Sequence, residues 1–430
     1  MWAFLPLSFF AISAVRATTI SADATISVSG STNATVNMVA AAWYAGWHSE
    51  DLPVANVSWE KYTHMTFSFA ETTPDVRNVS FNGSNPEVLP DFVATARKNN
   101  VKALVSVGGW TGSRFFSSNV ASAENRTAFV KTVTDLATKY GLDGIDFDWE
   151  YPGNQGIGCN VISPNDTTNF LAYLQELRKD PVGSKLILTA AVPINPWKGP
   201  DGNPLTDVSE FSKLLDYVAI MNYDISGPWL SYVGPNAPLE DSCAPSANQQ
   251  GSATSAIKAW TTAKMPSHKI VLGVPAYGHS FNVNASDAFE CTTDDIEVLA
   301  PFPPFNKAQQ PIGDAWDDGA GVDKCGVQNG PGGNFDFWGL IDAGFLFANG
   351  TAAPGIDYRF DECSQTAYVY NETSQVMVSF DDTRSFAAKG EFVAKNNLRG
   401  FAMWEAGGDS QDALLDSIRK ASGFDDVEDC

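Results

Sequence analysis

Basic residues are scarce: 27 Lys and Arg face 50 Asp and Glu, leaving a formal charge of −23. Such a surface repels polyanions, so nucleic acid and anionic membranes are not expected as partners, and a neutral or cationic ligand is favoured. The same charge also keeps an exported protein soluble. Histidine is rarer still: of four, His48, His64 and His268 are scattered outside any motif. None of the six cysteines, at positions 159, 243, 291, 325, 363 and 430, has the CxxC spacing of a zinc site. No metal, redox chemistry or cofactor is expected. After the first 17 residues no apolar run is long enough to span a bilayer, and the tail 425–430 has no lipid-anchor signal. No Gly-rich dinucleotide fingerprint follows the first apolar run of the body of the chain.

What is present is a chain of 430 residues, 44% hydrophobic and 12% aromatic, enough for one large barrel-type domain with an insertion or for two ordinary domains. Residues 1–17 are a short apolar run ending Val15-Arg16-Ala17 and read as a signal peptide. Residues 18–37 are Ser/Thr-rich and read as a flexible segment. Nine Asn-x-Ser/Thr sequons, at Asn33, Asn56, Asn78, Asn82, Asn125, Asn165, Asn284, Asn349 and Asn371, agree with export through a glycosylating pathway. The cysteines fit disulfides in an oxidising compartment, with pairing left open. A secreted, extracellular monomer is expected.

Eight short apolar runs punctuate the chain: Met38 to Tyr44, Thr63 to Phe69, Lys102 to Val107, Gly144 to Trp149, Lys185 to Val192, Tyr217 to Met221, Lys269 to Pro275 and Arg399 to Trp404. Amphipathic stretches such as Glu124 to Tyr140, Asp166 to Lys179 and Ala247 to Lys264 lie between them. Strands apolar on both faces alternating with helices predict an α/β fold, a (β/α)8 barrel. An open doubly wound sheet is the rival architecture. The seventh and eighth runs stand about 124 residues apart, too far for one crossover. The expected layout is a barrel over 38–276 and 380–424, with a small α+β insertion domain over 277–379 that holds strands at Thr366 to Tyr370 and Gln375 to Phe380. A helix from Ser385 to Asn397 and another from Gln411 to Ala421 follow.

Strand side chains alternate faces, so in the fourth run Asp146, Asp148 and Glu150 share one side and Ile145, Phe147 and Trp149 the other. Crowded carboxyls raise one another's pKa, and a carboxyl that keeps its proton is what general acid catalysis needs. On spacing alone, aligned carboxylates also suit Mg²⁺ or Ca²⁺.

The stretch Asp143-Gly144-Ile145-Asp146-Phe147-Asp148-Trp149-Glu150 resembles the DGxDxDxE signature of glycoside hydrolase family 18, which includes many chitinases. Ser106-Val107-Gly108-Gly109 is similar to its SxGG motif, Met221-Asn222-Tyr223-Asp224 to its MxYD motif, and Trp404 to the Trp under the sugar to be cleaved. The resemblance runs from about Val39 to Ser422 and includes the insertion. It implies a chitinase acting on chitin or N-acetylglucosamine oligomers, with Glu150 as general acid and base and the substrate's acetamido group as nucleophile. Asp148 would orient that group, Asp146 would tune the pair, Tyr223 would bond the acetamido oxygen, and Asp224 would contact the distorted sugar. Ser106 would bond Asp146. Trp404, Trp110, Trp229, Tyr44 and Met221 would complete the substrate-binding set, while Asp143 is structural. Trp43, Trp47, Trp59, Trp316 and Trp338 are expected in core or subdomain packing, with extension of the cleft as the alternative. His279 stands where the family commonly has Arg. A sugar-binding lectin on the same barrel, or an enzyme cleaving the core of N-linked glycans, are the alternatives.

Overall fold

The structure is a computed structural model that describes residues 38–291 and 297–424. The expected signal peptide, the whole flexible segment and Cys430 lie outside the described residues. Each of the eight apolar runs is a strand: β1 (Val39–Ala45), β2 (His64–Thr72), β3 (Lys102–Gly108), β4 (Gly144–Asp148), β5 (Ile187–Val192), β6 (Tyr217–Ile220), β7 (Ile270–Pro275) and β8 (Gly400–Trp404). They pair in parallel with their chain neighbours, and β1 bonds to both β2 and β8, which closes the barrel. The open-sheet rival is thereby excluded.

Burial on both faces explains the near-continuous apolar runs: β1, β4, β6 and β7 are buried at every residue. Inside the barrel, Ala41, Ala191, Ala219 and Ala402 leave room for the rings of Trp43 and Tyr217. Outside it, larger residues meet the helices. The helix Ala123–Tyr140 starts at Ser122, whose hydroxyl accepts from the Asn125 amide, and ends at Gly141 in the left-handed region. The helix expected over 247–264 is shorter, Ala253–Thr262, because Ser252 and Ser255 form a reciprocal cap that sets its start.

Between β7 and β8 lies a second, antiparallel sheet of five strands, ordered Asn334–Asp336, Tyr277–Asn282, Val376–Phe380, Thr366–Asn371, Asp357–Asp361. Phe281, Tyr368, Tyr370 and Met377 give it a buried face of its own. Two disulfides join this region to barrel loops: Cys159, after β4, to Cys325, and Cys243, after β6, to Cys363. Cys291 is exposed and has no disulfide partner among the described residues. Behind the sheet, Asp381 and Lys389 form an ion pair with no solvent exposure at either side chain.

Candidate active site

β4 sends its acids into the mouth of the barrel and its aromatics outward. Trp149 stacks on Phe116, with 5.0 Å between centroids and 15° between planes, and Phe147 meets Phe170 and Tyr173 edge-on. Asp146 lies deepest and accepts three hydrogen bonds, from Thr189 Oγ1 (2.6 Å), Ser106 Oγ (2.8 Å) and Trp43 Nε1 (3.1 Å). The register requires this, since Ser106 on β3 and Thr189 on β5 lie directly beside Asp146. Burial pushes Asp146 up, and the three donors pull it back.

Asp148 is the reverse case. Its Oδ1 is buried with no hydrogen-bond partner, and burial, then Glu150, then Asp146 hold its pKa well above the usual carboxylate range. Glu150 is raised to about 7 by burial and Asp224, against the pull of the Tyr151 hydroxyl. Two carboxyls that interact in this way, both raised, titrate as a pair and favour the protonated form. That is the state a general acid needs.

The backbone of this segment is clamped. Gly108 has φ +113°, and a Cβ there would lie 2.0 Å from the Asp148 carbonyl oxygen, so only glycine allows β3 to approach. Ser113 donates its hydroxyl to Asp148 O and accepts from the Glu150 amide, while Asn160 Nδ2 donates to Glu150 O.

Above the acids runs a cleft with two wings, of about 830 and 510 Å³, which share Trp110, Glu150, Tyr151, Asp224, Trp229 and Trp404. Trp404 is its floor, braced by Phe69 at 5.5 Å and Trp43 at 6.0 Å. Trp110 and Trp229 are 51% and 55% exposed, flat faces open to a ligand. Tyr223 lines the smaller wing with Met221. Asp224 adopts φ +55°. It is held there by the Asn236 side chain, which accepts from its amide, and by Tyr277 Oη and His279 Nε2, each 2.7 Å from Oδ1.

The family model described as Glycosyl hydrolases family 18 matches residues 39–409. The chain belongs to glycosyl hydrolase family 18. A "chitinase-like effector" of Moniliophthora roreri is 51% identical over 400 residues, covering 93% of this chain and 96% of the relative. A crystal structure of the chitinase RmChi1 from Rhizomucor miehei is 31% identical, with a TM-score of 0.78 over 89% of this chain and 99% of that one. A Cycas revoluta GH18 chitinase solved with (GlcNAc)3 is 25% identical, with a TM-score of 0.69 over 90% of this chain and 100% of that one.

In this family 18 chain the residues expected at the site fall into three groups. Glu150, Asp148, Asp146, Tyr223, Asp224, Trp404, Trp110, Trp229 and Met221 lie at the acids or around the cleft. Ser106 does not reach a ligand: it is fully buried, and its hydroxyl is spent on Asp146. Tyr44 is a correction. It points out of the barrel, buried between Phe67 and Phe92, and its hydroxyl donates to Leu52 O. Alternation on β1 turns Trp43 inward instead. Trp59 is in the core as expected, whereas Trp47 and Trp316 line the cleft, with Trp316 stacked on His48 at 3.9 Å. Sequence reasoning also missed Thr189, Ser113, Asn160, Tyr151 and Glu405. For Thr189 and Trp43 the inward parity of their strands was an available signal; Asn160 acts from a loop and Ser113 from a single 3-10 turn, and neither carries such a pattern.

Proposed function

We propose that this family 18 chain hydrolyses β-1,4-linked N-acetylglucosamine polymers with retention of configuration. The observation that carries this is the Glu150–Asp148 pair, buried under an aromatic floor and poised to hold one proton near neutral pH. The Cycas revoluta relative, solved with (GlcNAc)3, supports the substrate class. Glu150 gives its proton to the glycosidic oxygen as the C1–O bond breaks. The acetamido carbonyl oxygen of the same sugar bonds to C1, forming an oxazolinium ring. Asp148, with an oxygen free of partners, accepts the acetamido N–H and offsets the positive charge. Tyr223 steadies the acetamido oxygen, and Trp404 supports the distorted ring. Water then attacks C1 from the leaving-group side, gives its proton to Glu150, and the ring reopens to the β-anomer.

A second reading, sugar binding without turnover, is favoured by one observation: the 51% identical relative is named a chitinase-like effector. The Glu150→Gln variant separates the two. Hydrolysis of chitin oligomers by the natural chain, a β-anomeric first product, and a loss of roughly 10²- to 10⁴-fold in the variant are expected, with oligomer binding kept. An α-anomeric product or an undiminished variant overturns the mechanism. Tight binding with no turnover by the natural chain establishes the second reading. The protein works outside the cell, as the apolar segment 1–17 and the sequons indicate; mass spectrometry of culture medium for a glycosylated chain lacking that segment tests it.

A further inference from the structure

Away from the cleft, Phe347 is 51% exposed although its neighbours Phe345 and Leu346 are buried. It lies between the helix Phe337–Asp342 and the strand Asp357–Asp361, at the start of the loop Phe347-Ala348-Asn349-Gly350-Thr351. The Gly350 amide donates to Phe347 O and the Phe347 amide to Thr351 O, both at 2.8 Å, and Leu346 bridges Ala352 in antiparallel fashion. Gly350 takes φ +79°, while Ala348 and Asn349 stay out of the left-handed region. This is a tight hairpin, a type I turn closed by a glycine bulge. Residues opposed across an antiparallel ladder put their side chains on one side, so Phe347 and Thr351 share a face. Asn349 joins them there, because its Oδ1 accepts from Thr351 Oγ1 at 2.7 Å and from the Thr351 amide at 3.1 Å.

Asn349-Gly350-Thr351 is one of the nine sequons. The turn leaves Asn349 exposed, with its Oδ1 bonded and its Nδ2 without a hydrogen-bond partner among the described residues. Other sequons differ: Asn125 Nδ2 donates to Ser118 O at 2.8 Å, and Asn284 Nδ2 to Asp287 Oδ2 at 3.1 Å. Of the nine, only Asn349 has an aromatic residue two positions before it. A pyranose ring presents a face of C–H groups that packs on an aromatic ring. We propose that Asn349 carries an N-linked glycan whose first N-acetylglucosamine lies on Phe347 beside Thr351, so that sugar and turn stabilise each other. The donor is a lipid-diphosphate-linked oligosaccharide. Asn349 Nδ2 bonds to C1 of its N-acetylglucosamine, the C1–O bond to the diphosphate breaks, the Nδ2 proton is released, and the lipid diphosphate departs. The inference rests on the export proposed above and adds the site and the purpose of one glycan.

The full chain, secreted from a eukaryotic host, is trimmed with an endoglycosidase that leaves one N-acetylglucosamine on each occupied asparagine. Mass spectrometry of the peptide spanning Phe347 to Thr351 is expected to find that sugar on Asn349. Amide hydrogen exchange is then followed in the trimmed chain, in Asn349→Gln, in Phe347→Ala with its site occupied, and in the double variant. Loss of the Asn349 bonds to Thr351 is common to both backgrounds and cancels, which leaves the coupling between ring and sugar. That contact is comparable to an aromatic pair, so Asn349→Gln is expected to speed exchange at the Phe347, Gly350 and Thr351 amides roughly two- to twelvefold more with Phe347 than with alanine. A bare Asn349 in a secreted chain overturns the inference and leaves the export reading intact. An occupied Asn349 whose replacement has the same effect in both backgrounds overturns the packing on Phe347. A chain kept inside the cell and bare at every sequon refutes the export reading as well.

Discussion

Thr189→Val removes one hydroxyl from beneath the acids and little else, because valine matches threonine in shape and the site is 1% exposed. The bond lost is the 2.6 Å contact from Thr189 Oγ1 to Asp146 Oδ1, the only hydrogen bond to that oxygen among the described residues. A hydrogen bond to a charged acceptor contributes about 1.5–3 kcal/mol, which for a domain of this length lowers the melting temperature by roughly 2–4 °C. The cost exists only while Asp146 is ionised. Its folded-state pKa already lies above the ordinary value because of burial, and Thr189 is the first of the donors that restrain it. Losing Thr189 raises it further. The variant is therefore least stable relative to the natural chain above that raised pKa, and the gap closes as pH falls through it towards the ordinary carboxylate range. Thermal melts of both proteins across that range, with oligomer hydrolysis measured in parallel, give the comparison. A deficit independent of pH would mean that valine merely packs badly and that Asp146 is not a carboxylate held by its donors.

Other outcomes follow from the same contacts. Tyr44→Phe is expected to lose about 1 kcal/mol from its bond to Leu52 O while hydrolysing oligomers at the natural rate; a large loss of kcat would return Tyr44 to the site. If Glu150, raised to about 7, is the proton donor proposed above, the rate falls as pH rises through about 7. The Asp224 charge raises that pKa, so Asp224→Asn moves the basic limb of the kcat profile to lower pH; a limb that stays in place, or moves up, contradicts the assignment. Lys389→Met leaves Asp381 buried without its cation and is expected to cost about 3–5 kcal/mol in denaturant unfolding, much of it recovered by adding Asp381→Asn.

The barrel was legible because a parallel sheet covered on both faces writes itself as apolar runs, and Gly144–Asp148 or Ile270–Pro275 could be read almost to the residue. Asp146, Asp148 and Glu150 were legible for a related reason: period-two spacing places them on one face whatever surrounds the strand. Tyr44 was misjudged where a match to a family position was allowed to outrank that same alternation, which assigns the inward place to Trp43. Thr189 required knowing which residue of β5 stands beside Asp146, a matter of register between strands about 40 residues apart. Glu405, after β8, and Asp336, on the second sheet, both line the larger wing of the cleft, and no local pattern announces acids brought to one cleft by tertiary folding. The short helix Ala253–Thr262 was overextended because the reciprocal Ser252–Ser255 cap that starts it was not weighed against the polar stretch before it.

The two disulfides overlap in sequence: Cys243 lies inside the loop closed by Cys159–Cys325, and Cys325 lies inside that closed by Cys243–Cys363. Every peptide bond from Cys159 to Cys363 therefore falls within at least one covalent ring. A protease that cuts once anywhere in this span, including the exposed loops that wall the cleft, cannot separate the two fragments. The tether holds the wall beside Trp316 while reducing conditions are absent, so a nicked protein retains its cleft and a thiol reductant disarms it.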